Sequence, residues 1–314
     1  MSQDIKPFLK WVGGKTQSLE YILDVVPFNI ETHHEIFVGG GSVLFSLLNH
    51  SDDKNSKKIE NISKICAYDI NKRLIYTYNN IKWYHKDVFD LLNKMFADYR
   101  SCPQLKGERK VDDETSAKNS KESYYYWIRD QYNLETDYTS TRVSAQFIFL
   151  NRTCFRGIYR ESRTGKFNVP FGNYKTVHEI SLIELETISR KITKVDFIHK
   201  DFNDIDFDNE IQPGDFVYMD PPYVPECENG FTSYTKNGFN DESQKSLISK
   251  IKTLQNNGVR LCLSNSDSKL ITDAFKDNDK FKIVPIISKR RVNSKKPDST
   301  IQELLIYNLK NTET

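Results

Sequence analysis

The chain has 314 residues, enough to bury a sizeable core in one large or two ordinary domains. Its formal net charge is only +2, which excludes a uniformly basic surface and leaves room for local basic patches. Five cysteines occur without a Cys-x-x-Cys pair or a histidine at ligand spacing, which argues against a zinc site or a disulfide framework and for a reducing compartment. No signal core and no apolar run of ~20 residues is present, so we expect a soluble cytoplasmic protein.

The first motif, residues 7–15, ends in Gly13, Gly14 and Lys15 ahead of a helical pattern that starts near Ser18. Adjacent glycines indicate a backbone that must approach something closely. A triphosphate-binding loop is disfavoured because the earlier glycine of the Walker pattern is missing at the required distance. A plain turn is the other interpretation.

The second motif is a glycine loop between a strand at residues 35–38 and a helix that starts at Ser42. Gly39, Gly40 and Gly41 let a ligand lie against main-chain atoms at the end of the first strand. A second short strand, residues 65–68, ends in Asp69, where an acidic side chain can hold ribose hydroxyls. A nicotinamide cofactor suits this loop equally well, and Asp69 alone is also typical of a helix cap.

From residue 72 to residue 175 the chain changes character, and we interpret this part as an insertion into a domain formed by residues 1–71 and 176–314. Amphipathic patterns predict helices at residues 71–96 and 124–133, and Ser140 can cap a third helix. Between them, residues 104–122 are charged and almost free of large apolar side chains, which predicts a solvated loop or mobile insert.

Residues 151–172 combine four arginines with interleaved aromatic residues, and the turn signal of residues 163–166 lies between two β-type runs. This pattern predicts a basic hairpin. A two-stranded ribbon fits the DNA major groove, where arginine is the side chain best shaped to read guanine. A solvated charged hairpin is the alternative. A second basic cluster, Arg290, Arg291 and Lys295, suits phosphate contacts, although such clusters are often only solvated loops.

The apolar run of residues 216–219 predicts a short buried strand, and it ends abruptly at Asp220, Pro221, Pro222 and Tyr223. Ligands of open α/β sheets bind at the carboxyl ends of strands. The prolines stiffen the exit and leave carbonyl groups free, with an aromatic ring just beyond a carboxylate. The carboxylate and the carbonyl can each accept one hydrogen of an exocyclic amino group, while the aromatic ring stacks on a flat heterocycle. Flipped bases are recognised by such contacts. A simple turn is the alternative.

Taken together and in this order, the four motifs resemble those of DNA adenine-N6 methyltransferases of the Dam type, the α-group of amino-methyltransferases. The likeness runs from about residue 6 to about residue 308 and is weakest in the charged segment. The resemblance implies a Rossmann-like α/β S-adenosylmethionine-dependent methyltransferase sheet with a mainly helical target-recognition insertion that bears a β-hairpin. It also implies direct methyl transfer from S-adenosylmethionine to a flipped adenine of double-stranded DNA. The sequence shows no metal-ligand pattern and no evident interface for self-association, so we expect a monomer without metal.

The resemblance assigns roles to matching residues. Asp220 and the Pro221 carbonyl would accept hydrogen bonds from the target amino group, and Tyr223 would stack on the base, with Pro222 completing the motif. The implied cofactor-binding residues are Trp11, Lys15, Phe37, Gly39, Gly40, Gly41, Asp69 and Asp201. The implied DNA-binding residues are Lys10, Phe155, Arg156, Ile158, Arg160 and Pro170, with Phe155 entering the base stack and Arg160 reading guanine.

Two residues depart from the family pattern. Ile36 stands where proline is usual, which we expect to be tolerated, and Arg156 stands where relatives that methylate GATC usually carry asparagine. GATC is therefore the expected site, with CATG or a longer GAT-containing site as alternatives. Methylation of N4-cytosine in DNA or of adenine in RNA is a second enzymatic interpretation. A DNA-binding module that reads a sequence without chemistry is the interpretation from another class.

Overall fold

The structure, a computed structural model, describes residues 4–52, 62–223, 239–289 and 300–308. In these ranges the strands are β1 (Thr32–Ile36), β2 (Lys64–Asp69), β3 (Val195–His199), β4 (Phe216–Met219), β5 (Arg260–Ser266), β6 (Lys282–Lys289) and β7 (Thr300–Tyr307). The helices are α1 (Leu19–Asp24), α2 (Ser42–Asp52), α3 (Lys72–Ser101), α4 (Glu114–Ala117), α5 (Lys121–Leu134), α6 (Thr141–Thr153), α7 (Leu182–Lys191), α8 (Asp241–Asn256) and α9 (Lys269–Phe275).

The described strands form one sheet in the order β3-β2-β1-β4-β5-β7-β6. The strands β3, β2, β1, β4 and β5 are parallel to one another, and β7 runs antiparallel to both β5 and β6. The strand order reverses beside β1, which pairs with β2 on one side and β4 on the other. Phe37, Asp69 and Asp220 lie at the carboxyl ends of β1, β2 and β4, on the same side of this switch point. Ligands of open α/β sheets bind at this place, so we expect the site here.

The predicted α/β class is confirmed. The first strand was predicted at residues 35–38 and lies at Thr32–Ile36. β1 ends at Ile36 because Phe37 already adopts a left-handed backbone with φ 70°. β5 continues through Ser266, so that the strand ends in three polar residues, Ser264, Asn265 and Ser266. β6 was not predicted. Pro285 interrupts its apolar pattern, which an edge strand tolerates since one of its sides needs no ladder hydrogen bonds.

The central strand β1 is buried although it carries His33, His34 and Glu35. His34 contacts the Tyr68 hydroxyl at 3.3 Å and Asp215 Oδ2 at 3.3 Å. Burial lowers the pKa of His33 to about 3 and raises the pKa of Glu35 to about 8. Both side chains are therefore uncharged at neutral pH, so their burial in the sheet avoids the large desolvation cost of a charged group.

The long helix α3 joins the sheet to the helical insertion. Its first half packs on β3: the Tyr78 ring stacks on Phe197 at 4.6 Å, and Lys82 Nζ donates to the Val195 carbonyl at 2.8 Å. α3 has a kink at Tyr84 and also packs on α5 and α6, with Asn80 before the kink donating to Ser144 and Phe96 beyond it packing on Phe149. One hydrophobic cluster runs from the sheet into the insertion. The division at residue 71 falls on the N-cap of α3, and the insertion of residues 72–175 stays a proposal.

Residues 104–122 are more ordered than their composition predicts. Asp113 caps α4 by accepting from Ser116 N at 2.9 Å, and Ser120 caps α5 by accepting from Ser123 N at 3.0 Å. Capping hydrogen bonds thus provide the local order that this segment cannot obtain from apolar burial.

The basic hairpin folds back at the predicted turn, with an irregular backbone. Its first predicted residues belong to α6, and only two isolated bridges pair its arms, Cys154 with Phe171 and Glu161 with Phe167, in this described segment. The reversal is held by backbone bonds such as Phe155 N to Pro170 O at 2.8 Å. We call residues 154–172 the basic loop.

Among the residues that the structure describes, every helix is too short or too polar to cross a membrane.

Candidate functional site

Asp220, directly after β4, forms an ion pair with Lys15 from the N-terminal motif. Lys15 Nζ lies 2.8 Å from Asp220 Oδ2 and also donates to the Gly13 carbonyl at 2.8 Å. The Lys15 backbone N–H donates to Ser42 Oγ at 3.1 Å, at the start of α2. Lys15 is only 3% exposed. A methyl group at Gly13 would meet no atom within 4 Å and one at Gly14 would lie 3.5 Å from the Trp11 carbonyl oxygen, an ordinary contact, so the close approach predicted for these glycines is not found. Lys15 is the residue that contacts the Asp-Pro-Pro-Tyr segment and the start of α2.

The environment of Asp220 holds its pKa near neutrality. Burial raises the pKa of the carboxyl to about 6, and the opposing attraction of Lys15 keeps it from rising further. Tyr223 lies beside this pair, with Lys15 Nζ 4.9 Å from the centre of its ring. Burial and the negative charge of Asp220 hold the pKa of the Tyr223 hydroxyl well above its usual range. At neutral pH the site thus combines a largely ionised carboxylate with a neutral phenol.

The glycine loop after β1 lies directly under Trp11. A methyl group added at Gly40 would be 2.7 Å from Trp11 Cβ, and one at Gly39 would be 2.8 Å from Trp11 Nε1. Trp11 in turn stacks on Tyr159 of the basic loop, with ring centres 5.5 Å apart. The Gly39 carbonyl accepts from the buried Tyr78 hydroxyl at 2.8 Å. Glycine is needed at positions 39 and 40 because a side chain at either would displace Trp11.

Further contacts anchor the two ends of the loop. Phe37 packs against Phe202 at 5.5 Å and Phe239 at 5.7 Å, and its left-handed backbone is unusual for a residue with a bulky side chain. Gly41 also has a positive φ, of 70°, and lies against the Tyr78 hydroxyl. The loop is therefore held in one conformation by aromatic packing on both sides.

Asp69 ties the glycine loop to the end of β2. Its Oδ2 accepts from Gly39 N at 3.0 Å and its Oδ1 from Asn71 N at 2.8 Å. The cap of α3 is Asn71, whose side chain accepts from Leu74 N, so Asp69 is not the helix cap. Burial raises the pKa of Asp69 to about 6. Each carboxylate oxygen has two lone pairs, so acceptor capacity remains for hydroxyl groups of a ligand.

Asp201 follows β3 at the same edge of the sheet. It accepts from Asn203 N at 2.8 Å and from Asn203 Nδ2 at 3.1 Å, and so caps the short 3-10 turn Phe202–Asp204. Since the parallel strands β2 and β3 are adjacent, Asp69 and Asp201 both lie at their carboxyl ends.

Asn151 joins Lys10 to the basic loop. The Asn151 side chain accepts from Lys10 N at 2.8 Å and donates to the carbonyls of Lys10 at 2.8 Å and Gly157 at 3.2 Å. A methyl group at Gly157 would be only 2.4 Å from the Lys10 side chain. Lys10 Nζ lies 4.8 Å from the Tyr174 ring. Sequence reasoning had not assigned this joining role to Asn151.

The structure places four of the predicted DNA-facing residues of the basic loop, Phe155, Arg156, Ile158 and Pro170, close together. Phe155 is 45% exposed, an unusual position for a large apolar side chain, and Arg156 lies 5.2 Å from its ring. Ile158 is half-buried, and Pro170 is exposed opposite Phe155. Arg160 Nε donates to Asn168 Oδ1 at 2.6 Å. The remaining predicted DNA-binding residues, Arg290, Arg291 and Lys295, lie outside the described residues.

A doubly wound sheet with a glycine loop and an Asp-Pro-Pro-Tyr segment at its switch point defines an α/β enzyme of the methyltransferase class. Residues 11–292 match the sequence model of the D12 class N6 adenine-specific DNA methyltransferases, and the chain belongs to this family. The resemblance inferred from the motifs is thereby confirmed. The protein is an adenine-specific DNA methyltransferase.

Curated relatives agree with this assignment over nearly the whole chain. The chain is 37% identical to a type II methyltransferase, M.MjaIII, of Methanocaldococcus jannaschii, over 97% of this chain and 99% of the relative. It is 31% identical to the type II methyltransferase M1.LlaDCHI of Lactococcus lactis subsp. cremoris, over 98% and 97%. It is 28% identical to the DNA adenine methylase of Escherichia coli K12, over 86% and 84%.

Within the described part of the chain, no group of three or more His, Cys, Asp or Glu side chains is arranged to hold a metal ion.

Proposed function

We propose that this chain, as a monomer, transfers a methyl group from S-adenosylmethionine to N6 of an adenine flipped out of double-stranded DNA. The proposed target is GATC or a related short palindrome, with CATG or a longer GAT-containing site as alternatives. The observation that carries this proposal is the position of Asp220 at the end of β4, beside the glycine loop and in contact with Lys15.

The residues at the switch point fit S-adenosylmethionine, which supplies an electrophilic methyl group when bound. Asp69 retains acceptor capacity for the two ribose hydroxyls, as in dinucleotide-binding folds. Asp201, at the neighbouring strand end, suits the amino group of the cofactor's adenine. The remaining cofactor contacts are assigned to Trp11, Lys15, Phe37, Gly39, Gly40 and Gly41.

The catalytic segment would act by orientation and electrostatics. The Asp220 carboxylate and the Pro221 carbonyl accept the two hydrogens of the adenine N6 amino group, while the Tyr223 ring stacks on the base. These acceptors favour a pyramidal nitrogen whose lone pair is available for a direct displacement. Asp220 would also stabilise the positive charge that develops on N6 while the N–C bond forms and the bond from the methyl carbon to the sulfur of the donor breaks. S-adenosylhomocysteine would leave, N6 would lose one proton to solvent, and a covalent enzyme intermediate is not needed.

Lys15 has a second function in this proposal. Its ammonium group binds Asp220 Oδ2 and lowers the pKa of the carboxyl against the effect of burial. A carboxylate accepts several hydrogen bonds, so Oδ1 can accept one from N6 while Lys15 holds Oδ2. Lys15 thereby keeps the acceptor ionised at neutral pH.

The basic loop would read the DNA. Phe155 is assigned to the space left in the base stack, and Arg160 to guanine in the major groove. Lys10, Arg156, Ile158 and Pro170 surround them, while Arg290, Arg291 and Lys295 are assigned to phosphates. In this proposal the insertion of residues 72–175 is the target-recognition domain.

Transfer of a tritiated methyl group from S-adenosylmethionine to defined oligonucleotides tests the proposed function. Duplexes with GATC should be labelled on adenine, whereas duplexes without adenine in such a site and the RNA counterpart should not. Asp220→Asn should abolish labelling and retain DNA binding, because it keeps the shape of the side chain and removes its charge. Labelled cytosine or RNA would favour the second enzymatic interpretation, and absent cofactor binding in a calorimeter would favour a non-catalytic reader.

A further inference from the structure

Gln244 connects α8 to the Asp-Pro-Pro-Tyr segment. Its Nε2 donates to the Pro222 carbonyl oxygen at 2.9 Å, and its side chain is only 1% exposed. Gln244 lies three residues before Leu247 and four before Ile248, on the buried face of α8. A polar amide at such a position must be hydrogen-bonded, because an unpaired one would carry a large desolvation cost.

The hydrogen bonds around Gln244 have a single consistent direction. The Ser266 backbone N–H donates to Asn265 Oδ1 at 2.8 Å, which turns Asn265 Nδ2 towards Gln244. Asn265 Nδ2 then donates to Gln244 Oε1 at 3.2 Å, which turns Gln244 Nε2 towards Pro222. A backbone donor at one end and a backbone acceptor at the other therefore determine the orientation of both amides.

The catalytic segment needs such an external contact. Pro221 and Pro222 have no N–H, so neither can be held by donating a backbone hydrogen bond. Their φ angles are set by the rings, and ψ is the remaining freedom. A hydrogen bond to the Pro222 carbonyl restrains ψ of Pro222, which sets the direction in which the chain continues to Tyr223.

We propose that Gln244, oriented by Asn265, is a positioning residue that holds the Pro222 peptide and thereby the Tyr223 ring against the target base. This inference rests on the proposed function of the segment from Asp220 to Tyr223. Gln244 acts through the backbone and touches neither base nor cofactor in this role.

Gln244→Glu is the variant that tests the proposal. Glutamate keeps the length of the side chain but, when ionised, opposes the Pro222 carbonyl with an acceptor. When protonated it regains one donor. Burial raises the pKa of such a glutamate, so that it can be protonated at a pH at which the enzyme can be assayed. At about pH 8 we expect the single-turnover rate of methyl transfer to fall tenfold to a hundredfold, as for a lost buried hydrogen bond. The affinities for DNA and S-adenosylmethionine should stay within about twofold of the wild type.

The pH dependence distinguishes positioning from a general loss of structure. The ratio of the variant rate to the wild-type rate should rise as the pH is lowered to about 6, because protonated glutamate can donate again. The Asp220 carboxyl, with a pKa of about 6, titrates in both proteins, and taking the ratio of the two rates removes this shared dependence. Gln244→Met, which cannot donate at any pH, should show the low rate without this rise. It also serves if the glutamate variant does not fold.

Gln255→Glu is the matched control, on the same helix and with a side chain that accepts from Asn308 Nδ2 at 2.6 Å. It should keep the wild-type rate at every pH. A Gln244→Glu enzyme that is as fast as the wild type, or a slow one whose ratio does not change with pH, would overturn the inference. A wild-type enzyme that methylates no adenine would instead overturn the proposed function, so the two failures are distinguishable.

Discussion

At the scale of single residues, the pair of Lys15 and Asp220 determines at which pH the site works. Burial alone favours the neutral carboxylic acid, which is a weaker acceptor and cannot stabilise the positive charge that develops on N6, and Lys15 opposes this effect. Because the pKa of Asp220 is raised to about 6, the carboxylate is present above that pH and is lost as the pH falls through it. Methyl transfer should therefore lose rate on the acidic side of pH 6.

Lys15→Met should move this acidic limb to higher pH, because it removes the attraction that lowers the pKa of Asp220. An opposite charge at this distance changes a carboxyl pKa by about 1–3 pH units, which gives the expected displacement of the limb. The measurement is the single-turnover rate against pH at saturating cofactor, which removes the separate effect of Asp69 on cofactor binding. Lys6→Met, at an exposed position, is the control and should leave the limb in place. An unchanged limb in the Lys15 variant would contradict this account.

At the scale of elements, the site consists of loops at strand ends, and the sequence predicted most of them. β4 was recognisable because its apolar run is uninterrupted and stops at two prolines. β1 was harder to delimit, since His33, His34 and Glu35 do not look like residues of a buried central strand. Gln244 was missed although it carried a signal, a polar residue in the apolar register of α8. The irregular basic loop was predicted as a regular ribbon because its departures depend on Arg156 and Gly157, both with positive φ.

Gly40→Ala tests the glycine loop as an element. The added methyl group would be 2.7 Å from Trp11 Cβ, so that either Trp11 or the loop must move. We expect the affinity for S-adenosylmethionine, measured by calorimetry, to weaken by about 1–3 kcal/mol, the usual cost of overpacking. Gly258→Ala is the control, because its methyl group would meet no atom within 4 Å. The only strain that it introduces is that of an alanine backbone at a φ of 78°. The prediction is wrong if both variants bind the cofactor as the wild type does.

Arg160→Ala tests the basic loop. Arg160 is held by Asn168, which presents its guanidinium in a defined orientation, and its loss should cost about 1–3 kcal/mol of discrimination at one base pair. The measurement compares the rates on a set of duplexes in which each position of the site is changed in turn. Arg163→Ala, at the exposed turn, should leave discrimination unchanged at every position. Equal discrimination in the Arg160 variant would exclude it as the reader of guanine.

At the scale of the whole molecule, contacts between distant segments assemble the site. Lys15 meets Asp220, Lys10 meets Asn151 and Trp11 meets Tyr159, so that the N-terminal motif contacts both the catalytic segment and the basic loop. The sequence predicted each motif, but such pairings depend on the path of the chain and not on local patterns. The order of the motifs in the sequence indicated the family, and the structure supplied the distances between the motifs.

Single-molecule sequencing of plasmid DNA tests the central claim most directly. The plasmid is isolated from a methylation-deficient host that expresses either the wild-type chain or Asp220→Asn. We predict N6-methyladenine at one short motif with the wild type and none with the variant, and the motif itself will show whether Arg156 has changed the site. Absence of modified adenine from a host that contains folded wild-type protein would contradict the account.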